Sequence, residues 1–220
     1  MRRYANLALA LTLFASTANA VPISWNAGAA FLTPFTPITD SYTTVGTYTE
    51  TIPTGATHLV IEDCGNSSSG GAGSSIHSGG GGGGGAYSKK TFTLTSTNWG
   101  QTFTAVIGSQ APSSGIAPSS GNSPGLNTVV NNTFSTALSM SVSGGSGGLG
   151  SNPYTGGSAG AASGGDTNTA GGAGGTGGAY PGSGGVGATG TDCNGATGSS
   201  GVNGGISGPG SLGAEYFEYT

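Results

Sequence analysis

The chain has 220 residues, 48 of them glycine, and only 5% are charged. Eight acids against four basic residues give a formal net charge of −4. That balance repels phosphate backbones and offers no polybasic patch to anionic lipid, which argues against nucleic acid as a partner. The disorder signature needs high charge and collagen needs strict Gly every third residue with abundant proline, so neither class fits.

The N-terminal residues read as an export signal. Arg2 and Arg3 precede the apolar run LALALTLF (residues 7–14), and Ala18-Asn19-Ala20 fits the small-x-small cleavage rule. Residues 1–20 are therefore expected to be removed, in preference to an uncleaved anchor. The run is too short to span a bilayer, and no later segment approaches that length, so no membrane insertion is expected. A secreted or cell-surface location follows. The two cysteines, Cys64 and Cys193, then read as a disulfide. Chain-entropy bookkeeping puts so long a loop at about 5 kcal/mol. A metal site would need further ligands, and only His58 and His77 are present, so no metal or other cofactor is predicted.

Residues 21–44 form an extended arm or an edge strand. Pro22, Pro34 and Pro37 forbid a long helix, and Trp25, Phe31 and Phe35 make the arm a candidate for assembly with a neighbouring subunit. From residue 45 the period is two. Strands are predicted over 47–52, 58–62 running on to Cys64, 87–95, 101–107, 127–130, 133–142 and 213–219. Pro53-Thr54-Gly55 turns the chain between the first two. In the third, Phe92 and Leu94 share one face and Thr91, Thr93 and Thr95 the other. The fold class is all-β, with residues 45–220 as one domain.

Glycine blocks at about 65–85, 144–165 and 171–212 interrupt these strands. The first contains seven consecutive glycines from Gly79. The third repeats every three residues, from Gly172 through Gly175 and Gly178 to Pro181 and on to Cys193. That is the period of an extended three-per-turn helix. Such helices make no internal hydrogen bonds, so their buried amides must pair with adjacent helices. Ordering glycine costs roughly 0.5–1 kcal/mol more per residue than alanine, so many sideways bonds are needed. A flexible linker is the alternative. The regular period, the cysteine within it and the strand that follows it favour an ordered insertion.

The order of motifs resembles a known family. Ile52-Pro53-Thr54-Gly55-Ala56-Thr57, then Leu59-Val60-Ile61 and Cys64-Gly65, resembles the glycine-rich domain of phage tail-tip adhesins and assorted bacterial proteins. Gly85-Ala86-Tyr87 through Phe92, the strand from Gln101 to Gly108, Val142-Ser143-Gly144-Gly145 and the closing strand 213–219 match further steps of that pattern. The resemblance implies an antiparallel β-sandwich-like base with glycine-rich insertions packed as a bundle of polyglycine-II helices. In the adhesins, loop tips bind cell-surface receptors. The export signal, the cysteine pair and the 31–42 arm depart from the pattern.

Catalytic chemistry is poorly provided for. Asp63 and Asp192, beside the two cysteines, read as solvated turn residues rather than a carboxylate dyad. His77 reads as a loop residue. No Gly-Lys-Ser/Thr step follows the polyglycine run, so it is not a phosphate loop. A non-enzymatic protein is expected. Tyr154, Tyr180 and Pro181 interrupt the glycine blocks where tips would lie; they either bind a cell-surface glycan or protein or cover the bundle ends, and both readings stay open. The functional expectation is a structural or adhesive surface protein, with copies of itself as partners in a filament version. The alternative is an ice-binding protein that uses regularly spaced threonines.

Overall fold

The computed structural model describes residues 35–179, 182, 187, 190 and 194–220, and no helix occurs among them. The strands are β1 (Ile38–Tyr42), β2 (Gly46–Thr51), β3 (His58–Cys64), β4 (Tyr87–Thr93), β5 (Thr102–Ile107), β6 (Asn127–Asn131), β7 (Ser139–Val142), β8 (Ala162–Ser163), β9 (Thr167–Thr169) and β10 (Ala214–Tyr219). They form two five-stranded antiparallel sheets, ordered β1-β10-β3-β4-β9 and β2-β5-β6-β7-β8. The all-β, antiparallel expectation is met.

Period-two alternation gives each sheet one apolar face, and the two faces meet. Leu59 and Ile61 of β3 and Phe217 and Tyr219 of β10 share a core with Phe103 and Ala105 of β5, Val129 of β6 and Met140 of β7. Burying such side chains contributes about 1.5–3 kcal/mol each. The Phe103 and Phe217 rings lie 5.3 Å apart and tie the sheets together. At the base, Gly55 turns with φ +97°, a left-handed conformation that glycine adopts without strain. There too the Trp99 indole donates to Ala56 O at 2.9 Å.

Two expectations change in detail. The strand over 133–142 shrinks to β7. Asn131 Oδ1 accepts from Ser135 N, and Leu138 N closes a turn on Ser135 O. Phe134 and Leu138 still fill the core from that turn. Of the 21–44 segment, residues 35–44 are described, and Ile38–Tyr42 form an edge strand antiparallel to β10.

Beyond the sandwich, extended glycine-rich segments surround the seven-glycine run. The N–H groups of residues 78–86 donate in strict rotation to three neighbours, at 2.7–3.1 Å. Ser78, Gly81 and Gly84 reach Gly178, Gly175 and Gly172. Gly79, Gly82 and Gly85 reach Val202, Ser199 and Ala196. Gly80, Gly83 and Ala86 reach Leu149, Ser146 and Ser143. As the donor advances by three residues the acceptor steps back by three, so each neighbour runs antiparallel to the central run. Three carbonyls on the same run, Gly80, Gly83 and Ala86, accept from Gly71, Ser68 and Gly65, and two more accept from Gly157 and Gly160. The chain outside the ladders thereby satisfies its buried amides sideways.

Close approach explains the composition. A Cβ on Gly79, Gly80, Gly82, Gly83 or Gly85 would overlap a carbonyl oxygen of a neighbouring segment. In the segments 171–179 and 194–201, the residues that face the central run are restricted in the same way. Gly171, Gly174 and Gly177, and likewise Gly195, Gly198 and Gly201, pack against the central run. Ala173, Thr176 and Ala179, and Asn194, Thr197 and Ser200, point outward and are exposed. Gly83→Ala should cost about 3 kcal/mol or more, because rigid backbone has nowhere to move. Gly208→Ala, in open space, should stay within about 0.5 kcal/mol of the parent. Denaturant midpoints of the two variants check this; equal midpoints would refute the close-packed centre.

Candidate functional site

The distal end of the glycine bundle is built from turns. β3 runs into the segment 65–73, which reverses at Ser74–His77 and returns as the central run. His77 N closes this turn on Ser74 O at 3.3 Å. A second turn places Tyr154 N on Ser151 O at 2.6 Å, and Tyr154 takes φ +52°, a strained choice for an aromatic residue. A third turn follows Val202. With its nitrogen toward the first turn, the Asn203 amide donates to Ser74 O and His77 O, both at 2.9 Å. The 109–119 loop joins the same end: Ala72 pairs with Ser119 and with Val202, and Ser207 N donates to Ser114 Oγ at 2.9 Å.

These turns carry a specific surface. His77 and Tyr154 stack at 5.3 Å between ring centroids. Ile76, Ile116 and Ile206 are 75%, 84% and 57% exposed. A single exposed isoleucine needs no explanation, but three such residues lie on the turns and loop of this end, together with the stacked His77–Tyr154 pair. Phe35 packs over Gly55 and against the sandwich core at the base.

The expected site residues are thus distributed unevenly. Tyr154 lies in the distal turns, with His77, which sequence reasoning left as an ordinary loop residue. Phe35 lies at the base, half-buried. Tyr180, Pro181, Cys193, Trp25 and Phe31 lie outside the described residues. Cys64 is buried at the end of β3, clustered with Tyr87, Ala214 and Tyr216. The isoleucines were missed because a lone aliphatic residue among Gly, Ser and Asn carries no periodic signal.

The seam between sandwich and bundle holds the other concentration of polar groups. Asn66 donates to Gly108 O, Gly125 O and Asn127 Oδ1 at 3.0–3.2 Å and accepts from Gly213 N at 2.8 Å. Asn127 in turn donates to Cys64 O at 2.9 Å. Asp63 corrects the expectation of a solvated turn residue. It is fully buried on the core face of β3, opposite Glu215 of β10. The carboxylate oxygens of both have no hydrogen-bond partner. Burial holds Asp63 well above the usual carboxylate range; the Asn127 amide, whose hydrogen bond goes to Cys64 O, lies near enough to favour the charged form only in part. Burial, then the charges of Asp63 and Glu50, push Glu215 up to about 9. Glu50 is also raised by burial, against the opposing effect of the Tyr42 and Tyr219 hydroxyls that donate to it. Among the described residues, no group of three or more His, Cys, Asp or Glu could hold a metal ion, and no helix is long and apolar enough to cross a membrane.

A family model described as a glycine-rich domain matches residues 43–217. No curated protein matches the sequence.

Proposed function

Because the chain belongs to the glycine-rich domain family, we propose that it is an exported, non-enzymatic surface protein of the adhesive or structural kind. In this reading the sandwich is the base, and the glycine segments are polyglycine-II helices forming a stiff support. The distal turns then present a binding surface to a cell-surface glycan or protein. The observation that carries the reading is the placement of Ile76, Ile116, Ile206 and the His77–Tyr154 stack at the end of the glycine segments remote from the sandwich. Aromatic and aliphatic groups on a rigid frame bind with little ordering cost. The rotation of donors through three neighbours with a three-residue step supports the helix assignment, since three residues per turn produce that step.

A disulfide from Cys64 to Cys193 belongs to the same reading. Ala196 N donates to Gly65 O at 3.0 Å, which brings the chain three residues beyond Cys193 alongside the residue after Cys64. In the filament version, the free edge of β2 is a strand-addition site for a second copy.

One observation favours the ice-binding alternative. By register, the outer face of the second sheet sets Thr47, Val106, Thr128, Ser141 and Ser163 in one row and Thr49, Thr104, Val130 and Ser139 in the next. Rows about 7 Å apart on strands about 4.8 Å apart make a regular, charge-free hydroxyl lattice.

On glycan arrays and intact cells, Tyr154→Ala combined with Ile116→Ser should lose at least tenfold in binding with little change in thermal midpoint. Unchanged binding would remove the distal surface from the account. Peptide mapping without reductant should recover Cys64 joined to Cys193, and reduction should lower stability by about 2–5 kcal/mol; two free thiols in the exported protein would end the disulfide assignment. Thermal hysteresis that disappears in Thr49→Lys/Thr104→Lys would establish the ice-binding alternative in place of the adhesive one, and its absence from the parent removes it. Strict monomers at high concentration discard the filament version.

A further inference from the structure

The buried acids at the seam are used by nothing described so far. Asp63 and Glu215 are direct cross-strand partners on β3 and β10, on the face that carries Leu59, Ile61, Phe217 and Tyr219. Side chains opposite one another in an antiparallel pair stand about 4.5–5.5 Å apart at Cβ. Neither is exposed, and none of the four carboxyl oxygens has a hydrogen-bond partner. Two adjacent, dry, unpaired carboxylates cannot both stay charged.

Among the described residues, no cation relieves them. Lys89 reaches Glu62 at 3.0 Å on the other face of β3, and Lys90 lies 3.6 Å from Asp166. The polar and ionisable groups facing the pair are of the wrong kind to neutralise it. Glu50 of β2 adds a further negative charge, and Asn127 of β6 is neutral and already engaged with Cys64 O. Tyr219, beyond Phe217 on the same face of β10, donates to Glu50. Tyr42 of β1 does the same, and Asp40 of β1 adds only like charge near Glu50.

We propose that Asp63 and Glu215 form a proton-holding clasp at the seam between the sandwich and the glycine bundle, so that folding takes up protons and the joint is tightest in acid. Position gives the clasp its leverage. Asp63 directly precedes Cys64, which leads into the first glycine segment, and Glu215 lies two residues after Gly213, which ends the last one. Gly213 N and Cys64 O are bound by Asn66 and Asn127, so charge at the pair acts on the seam's own hydrogen bonds. Both carboxyls are raised above their unfolded values, Glu215 to about 9. A group raised in the native state contributes stability that is complete below its unfolded value, about 4, and is lost as pH climbs toward its folded value. Within that window each retained proton makes the folding equilibrium constant fall about tenfold per pH unit.

The test is denaturant unfolding of the oxidised protein at intervals from pH 5 to 8.5, beside the Asp63→Asn/Glu215→Gln variant. The parent's folding constant should fall by at least tenfold per unit, and the double amide should be shallower by at least one proton. Identical slopes, or a parent whose stability is flat or rises with pH, would overturn the clasp. Should the variant fail to fold, infrared spectra of native parent and of Glu50→Gln at neutral pH decide instead. A protonated carboxyl band present in both supports the clasp. Its absence from the parent, or its loss in Glu50→Gln, overturns it.

Discussion

An extended glycine segment cannot satisfy its own amides, and this constraint shapes most of the molecule. In the central run successive N–H groups go to three different segments and none closes a bond within the run. Buried, each group must meet a partner on another segment or cost about 1–3 kcal/mol. Residues 78–86 meet the demand on every residue, with nine consecutive donors shared among three neighbours. The partners must come within hydrogen-bond distance on several sides at once, which leaves no room for a Cβ at Gly79, Gly80, Gly82, Gly83 or Gly85. The hydrogen bonding requires the glycines, and the glycines are ordered only by the hydrogen bonding.

The sandwich supplies what the bundle lacks. Its strands bury Leu, Ile, Phe and Tyr in a conventional core and fix where each glycine segment begins and ends. Side-chain amides carry this order across the seam: Asn66 bridges three oxygens and one N–H that belong to different segments. Ser67, Ser68 and Ser69 continue the theme inside the bundle. Their hydroxyls reach backbone carbonyls of 211, 144 and 122, so small polar side chains substitute for oily ones. Against that saturated network the unpartnered Asp63 and Glu215 stand out, because almost every other polar group at the seam has a named partner.

The frame also bears on the proposed role of the distal turns. Apolar residues held on turns that are stitched to one another by Asn203, Ala72 and Ser207 lose little freedom when a partner arrives. A chain so poor in charge has few other means of specificity, so the stacked His77–Tyr154 pair and the three isoleucines concentrate what chemistry the surface offers.

By itself the sequence determined most strands of the sandwich and the three-residue spacing of the glycine segments; the short β8 and β9, in and beside a glycine-rich stretch, carry no alternation. Alternation from Thr47 onward reports which faces are buried, and Gly-Gly-x repeats report which positions face a neighbouring backbone, since both signals are local. It could not say which segment occupies the centre. The third block has the clearest period, yet the seven-glycine run is the one surrounded. The reason is geometric: a segment enclosed on all sides can bear no side chain, whereas a peripheral one keeps every third position free, as Ala173, Thr176 and Ala179 show. Nor could it show that Asp63 would lie dry against Glu215, or that His77 would stack on Tyr154. Those pairs are 152 and 77 positions apart in the chain, and only strand register and the packing of turns brought them together.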